Sequence, residues 1–149
     1  MSDTARKILL LILSLFVSSS IFSDYSTSMF PIMNKSEGIV KMIENDLNME
    51  IVRIEYDILS TSKSTIRTLT NGWTYMIVAF GDFRFRDIDI KVYRYVNGYW
   101  QLIEKDMDAE SVAAVSITPS YTEEYKIEIS AYSFESDYNV GHYGLIIAH

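Results

Sequence analysis

The stretch Asp82-Phe83-Arg84-Phe85-Arg86-Asp87-Ile88-Asp89-Ile90-Lys91-Val92-Tyr93-Arg94-Tyr95-Val96-Asn97-Gly98 decides how the chain is read. From Ile88 it alternates: Ile88, Ile90 and Val92 take one face, and Asp89, Lys91 and Tyr93 take the other. Successive side chains of a strand point to opposite faces, so this is a strand with one buried and one wet face. Phe83 and Phe85 have the opposite parity, and one regular strand cannot bury both sets on one face. A bulge, a bend or a strand start is therefore expected at Arg86-Asp87. Asn97-Gly98 supplies the positive-φ positions of a tight hairpin turn, with a partner strand over 99 to about 105.

Outward from that hairpin the same period recurs. Residues 51–59 alternate, with Val52, Ile54, Tyr56 and Ile58 apolar against a wet Arg53, Glu55 and Asp57. A short strand over 65–69 leads to the turn Asn71-Gly72. Residues 73–80 are apolar on both parities, which calls for cover on both sides or for one face paired with the helix. Residues 112–118 form a strand that Pro119 ends. Residues 125–134 bury Tyr125, Ile127, Ile129 and Ala131, and 143–148 close the domain. Seven or eight short strands at this spacing predict a mainly β chain folded as an antiparallel β-sandwich of jelly-roll type.

One helix is expected, an amphipathic one over 36–48. Ile39, Ile43 and Leu47 recur at helical spacing, with Val40 and Met42 beside them. Asn34 with Glu37 resembles a capping box, and Ser36 is a second candidate cap. Its single Lys41 is no basic face, so it reads as a helix docked on the core and not as a membrane-surface helix.

Before it, residues 24–35 read as a flexible arm, and residues 1–23 as a secretory signal peptide. Arg6 and Lys7 precede an apolar run over 8–17, and small residues at 18–23 suit cleavage after Ser20 or, preferably, Ser23. The run is about half the roughly 20 residues a spanning helix needs. The domain reading is thus 1–23 signal, 24–35 arm, and 36–149 one sandwich including the helix, exported to the periplasm or beyond. Removing 1–23 makes the chain one unit more negative than its formal −7.

That acidity disfavours nucleic acid as a partner, because phosphate backbones are repelled. With no cysteine in the sequence, disulfides, thiol catalysis and Cys-ligated zinc are excluded. No Gly-rich phosphate loop and no Gly-x-Ser-x-Gly elbow is present. Once the signal is removed nothing suits a membrane anchor. A small outer-membrane barrel fits poorly, since several strands are charged on one face and the chain is short for eight spanning strands. Neither ligand nor oligomeric state can be read from the composition.

Several pieces occur together in order: Gly72-Trp73-Thr74-Tyr75, Gly81-Asp82, Asp87-Ile88-Asp89-Ile90-Lys91-Val92-Tyr93, Thr118-Pro119, Tyr125-Lys126-Ile127-Glu128-Ile129 and Gly141-His142-Tyr143-Gly144. In this order and spacing they resemble the bacterial pre-peptidase C-terminal domain-like β-sandwiches, in small stand-alone exported form. The Asp-Ile-Asp-Ile-x-Val-Tyr piece is the most specific. The resemblance covers 72–149 and implies a jelly-roll module without catalysis, serving binding, secretion or stabilisation. Cys pairs of the small relatives are absent here.

Four groups of residues could carry chemistry. Asp82, Asp87 and Asp89 could hold calcium, with the last two roughly 6.5–7 Å apart along one strand face. The dense Asp/Asn/Gly spacing of a calcium loop is missing, and the simpler reading has these acids capping the bulge and pairing with Arg84 or Arg86. Glu104, Asp106, Asp108 and Glu110 form an acidic run that a cryptic hydrolase could use, but a charge run reads first as a solvated loop. His142, one of only two histidines with His149, reads as a turn residue before the last strand. Tyr93, Tyr95, Tyr99 and Trp100 surround the hairpin and form the candidate binding patch for a protein or glycan. The alternative is that they only pair across strands and stabilise the sheet. The composite reading is a non-catalytic exported binding module, with no cofactor, no metal and no catalytic residue assigned.

Overall fold

The computed structural model of the chain describes residues 28–149. Residues 1–23, read as a signal peptide, and the start of the stretch read as an arm lie outside the described residues. One helix, α1 (Phe30–Lys41), continues through a wider π-type turn over Met42–Asp46. Eight strands follow: β1 (Ile51–Leu59), β2 (Ser62–Leu69), β3 (Tyr75–Gly81), β4 (Phe85–Val96), β5 (Tyr99–Asp106), β6 (Val112–Ile117), β7 (Glu123–Phe134) and β8 (Gly141–Ala148). They build two antiparallel four-stranded sheets, ordered β1-β8-β3-β6 and β2-β7-β4-β5. Successive strands cross between sheets except at the β4–β5 hairpin, giving the eight-stranded jelly roll that the alternating pattern predicts.

The core lies between the sheets. Ile77, Ala79, Leu145 and Ile147 from one sheet meet Ile88, Ile90, Val92, Ile127 and Ile129 from the other. A second, smaller core lies on the outer face of the first sheet, where Val78, Phe80, Ile146 and Ala148 pack under Ile32 and Ile43 of the helical segment. This explains the two-faced apolar sequence of β3 and β8: one parity faces the sandwich, the other faces the helix. Gly144 is part of that fit, because a Cβ there would stand 2.2 Å from the Phe80 ring.

The helix differs from its expected span of 36–48. It begins at Phe30, inside the stretch read as an arm, with Pro31 in the first turn, where its missing N–H costs nothing. Its buried stripe is Ile32, Ser36, Ile39 and Ile43, so Asn34, Ser36 and Glu37 stand mid-helix and cap nothing. Ser36 Oγ instead accepts a 2.7 Å bond from the Tyr56 hydroxyl on β1. Lys35 Nζ donates to Gly81 O, Ser111 O and Ser111 Oγ, fastening the other side of the helix to the ends of β3 and β6.

Strand β4 runs through the parity change without a break. Its register against β7 shifts on both sides of Asp87, so the expected irregularity is a bulge. Asn97 (φ 53°) and Gly98 (φ 91°) form the tight turn into β5. The face of β1 read as wet is open to water at Arg53 and Asp57 and half-covered at Glu55. Arg53, Glu55 and Asp57 share the register of the inward Leu145, Tyr143 and Ile147 and meet Arg67 and Lys63 of β2 across the open edge of the sandwich. The apolar parity of β1, Val52, Ile54, Tyr56 and Ile58, is exposed, because β1 is an edge strand.

Candidate functional site

The aromatic patch sits on the outer face of the β2-β7-β4-β5 sheet. Strand pairing sets Tyr93 between Leu102 and Lys126, and Tyr95 opposite Trp100. Tyr95 and Trp100 contact edge-on with ring centroids 5.2 Å apart. Lys126 Nζ lies 4.1 Å from the Tyr93 ring centre and 5.8 Å from that of Trp100. The Tyr93 hydroxyl donates to Glu128 Oε1 at 3.2 Å, and Lys126 stands 3.9 Å from Glu128 Oε2. Burial and then the neighbouring Glu128 push the Tyr93 phenol up, so it stays a neutral donor. Tyr95 is 54% exposed, and Ile66 of β2 extends the face beside Lys126.

Tyr99 does not join this group. It pairs with Val96, which has the parity opposite to Tyr95, so Tyr99 projects from the other face of the hairpin. Lys126 and Glu128 are the members that the hairpin sequence could not supply. Their outward parity on β7 was legible, but their position against Tyr93 depends on the pairing of β4 with β7, far apart in the chain.

The three aspartates separate. Asp82, in the β3–β4 loop, is buried and fully engaged. It accepts bonds from the Arg84 N–H and guanidinium, and from the His142 N–H. Burial raises its pKa, but these bonds outweigh burial and hold the carboxyl below the ordinary value. Asp87 and Asp89, expected on the wet side of β4, are both buried as well. Burial pushes both upward, helped at Asp87 by Asp89 and at Asp89 by Asp106 against an opposing Lys91. Asp87 Oδ1 has no hydrogen-bond partner. Among the described residues no group of three His, Cys, Asp or Glu side chains is placed to share a metal ion.

His142 is a strand residue and not a turn residue. It opens β8, is buried, and its Nδ1 accepts from Arg84 Nη2 at 2.7 Å. With Nδ1 occupied as an acceptor, the ring proton sits on Nε2. Asp82 Oδ2 stands 3.6 Å from the same nitrogen, with the Arg84 guanidinium bonded to both. In the acidic run, Asp106 is bound locally: its two oxygens accept from the N–H groups of Asp108 and Ala114.

No family model and no curated protein matches the chain. Among solved structures, the pre-peptidase C-terminal domain of a collagenase from Bacillus anthracis is similar over 64% of this chain and 87% of that one, with TM-score 0.49 and 7% identity. The Yersinia pseudotuberculosis-derived mitogen is similar over 66% and 85%, with TM-score 0.48 and 15% identity. The periplasmic g-type lysozyme inhibitor of Aeromonas hydrophila is similar over 65% and 85%, with TM-score 0.43 and 13% identity. The family whose motifs the sequence resembles is thus among the structural likenesses of the chain, at the level of fold.

Proposed function

We propose that the protein is a non-catalytic, exported binding module whose outer β2-β7-β4-β5 face takes a glycan chain. The observation that carries this reading is the grouping of Tyr93, Tyr95 and Trp100 around Lys126 and Glu128 on one sheet face. Aromatic faces cover the apolar side of a sugar ring, while an ammonium and a carboxylate supply a donor and an acceptor for its hydroxyls. The rings are held by strands, so little is lost in ordering them on binding. Export rests on the sequence pattern over 1–23. The non-catalytic reading is supported by the engagement of Asp82 and His142 with Arg84 and by the local bonding of Asp106.

Affinity electrophoresis through gels containing different polysaccharides tests it. The purified protein is expected to be retarded by at least one of them, and Trp100→Ala to remove the retardation while leaving the circular dichroism spectrum unchanged. Equal mobility in every gel, or retention that Trp100→Ala leaves intact, would overturn the reading. Mass analysis of the protein from the exported fraction, with a start at Asp24 or Ile21, tests export separately.

A further inference from the structure

Strand β1 is an edge of its sheet, with β8 on one side and no strand on the other. Its pairing fixes which backbone groups it turns outward. Glu50 N–H donates to His149 O at 2.7 Å and His149 N–H to Glu50 O at 2.9 Å, so the odd-numbered residues of β8 aim their backbone at β1. After the register shift between Ile51 and Arg53, those residues stand opposite Arg53, Glu55 and Asp57. The N–H and C=O groups of Ile54, Tyr56 and Ile58 therefore point away from β8, into the open edge. Ile58 agrees, since its N–H donates to Asp57 Oδ1 beside it at 2.7 Å.

Such an edge is a template for another strand, and proteins guard the edges they do not use. Strand β2 is guarded by like charge, because its charged side chains are the cations Lys63 and Arg67. Strand β6 has its Ala114 N–H taken by Asp106 Oδ2. On β1, Val52, Ile54, Tyr56 and Ile58 expose an apolar face beside the outward backbone groups. Its charges, Arg53, Glu55 and Asp57, are complementary to themselves. In antiparallel pairing about Glu55, Arg53 of each copy faces Asp57 of the other, in the close pairs that exchange no backbone bonds. Ile54 then meets Tyr56 in the hydrogen-bonded pairs. The side chains of Arg53 and Asp57 are 51% and 52% exposed, so both can reach across. The two Glu55 carboxylates meet at the dyad, but each accepts from Arg53 and Arg67 of its own chain, which offsets their repulsion.

We propose that β1 pairs antiparallel with β1 of a second copy of this chain about a dyad at Glu55, joining two four-stranded sheets into one of eight strands. This edge belongs to the sheet that does not carry the aromatic patch, so self-pairing and glycan binding stand or fall separately.

Sedimentation velocity over a concentration series tests this. The purified protein is expected to pass from monomer to dimer as its concentration rises. Asp57→Arg and Arg53→Asp each set like charges across the dyad, and each is expected to weaken self-association about tenfold or more. Mixed together, the two variants are expected to form a heterodimer, because every 53–57 pair then joins an arginine to an aspartate. On the unsubstituted protein, hydrogen exchange at the Ile54 and Tyr56 amides is expected to slow as the dimer forms, which decides the matter even where a variant fails to fold. A monomer at every concentration, single variants that dimerise as tightly as the parent, folded variants that do not associate when mixed, or Ile54 and Tyr56 amides that exchange as fast in the dimer would each overturn the proposal.

Discussion

Arg84 Nη2 lies 2.7 Å from His142 Nδ1, so a guanidinium from the β3–β4 loop ties down the first turn-side residue of β8. The same guanidinium holds Asp82, whose side chain is fully buried, at 2.5 Å. These three residues join the end of β3, the start of β4 and the start of β8. Replacing Arg84 by Met leaves a buried carboxylate without its cation, a change that costs about 3–5 kcal/mol. Urea denaturation should show the midpoint falling accordingly with the slope unchanged. A loss under about 1 kcal/mol would mean that the lock is incidental to the fold.

The buried aspartates titrate in opposite directions. Asp82 is held below 3.8, so the unfolded chain binds the proton more readily. Its contribution to stability is complete above 3.8 and is lost as pH falls through its folded value. Asp87 and Asp89 are raised above 3.8, so their cost is complete above their folded values and vanishes below 3.8. Asp87→Asn should therefore raise the melting temperature at pH 7, with the gain shrinking as the pH falls toward 3.8. Asp82→Asn should lower it at pH 7, with a loss that shrinks at acid pH. Melting curves between pH 3 and pH 7 separate the two signs.

The helix is bound by few but fully buried contacts. Ile32 and Ile43 are both completely covered by the outer face of β3 and β8. Ile43→Ala should cost about 2–5 kcal/mol, because it removes apolar contact and leaves a cavity. Gly144→Ala should cost about 1–3 kcal/mol through the opposite fault, a methyl forced against the Phe80 ring. Thermal unfolding of the two variants checks both.

By contrast, the sheet-face patch should be nearly silent in stability. Lys126 is partly exposed over Tyr93, and such cation–π contacts contribute about 0.5–1 kcal/mol. Lys126→Met should therefore change the denaturation midpoint little. A loss of several kcal/mol would show that the cluster serves the sheet and not a ligand.

How far the sequence carried the account depends on locality. Alternation at Ile88, Ile90 and Val92, the parity change at Asp87 and the Asn97-Gly98 turn are local signals, and each marks what the structure has there. The helix begins ahead of its expected start because the Asn34–Glu37 pair and Ser36 mimic a cap, while the stripe runs from Ile32 through Ser36 to Ile43. Ser36 is polar, and only its bond to Tyr56 makes its burial intelligible. His142 was misread for the same reason: its partner, Arg84, is 58 residues away. The ion pairs of Glu55 with Arg67 and of Asp57 with Lys63 also depend on a distant strand, β2. Of the proposed patch, Tyr93, Tyr95 and Trp100 are visible in the hairpin, Lys126 and Glu128 reach it only through non-local pairing, and Tyr99 projects from the other face.

The central claim is that the outer face around Lys126 recognises a glycan. Amide and indole chemical-shift mapping of the purified protein against a panel of oligosaccharides tests it most directly. The account predicts saturable shifts centred on Tyr93, Tyr95, Trp100 and Lys126, with Tyr99 and the Arg84–His142 pair unaffected. Shifts centred elsewhere, or none with any oligosaccharide, would contradict it.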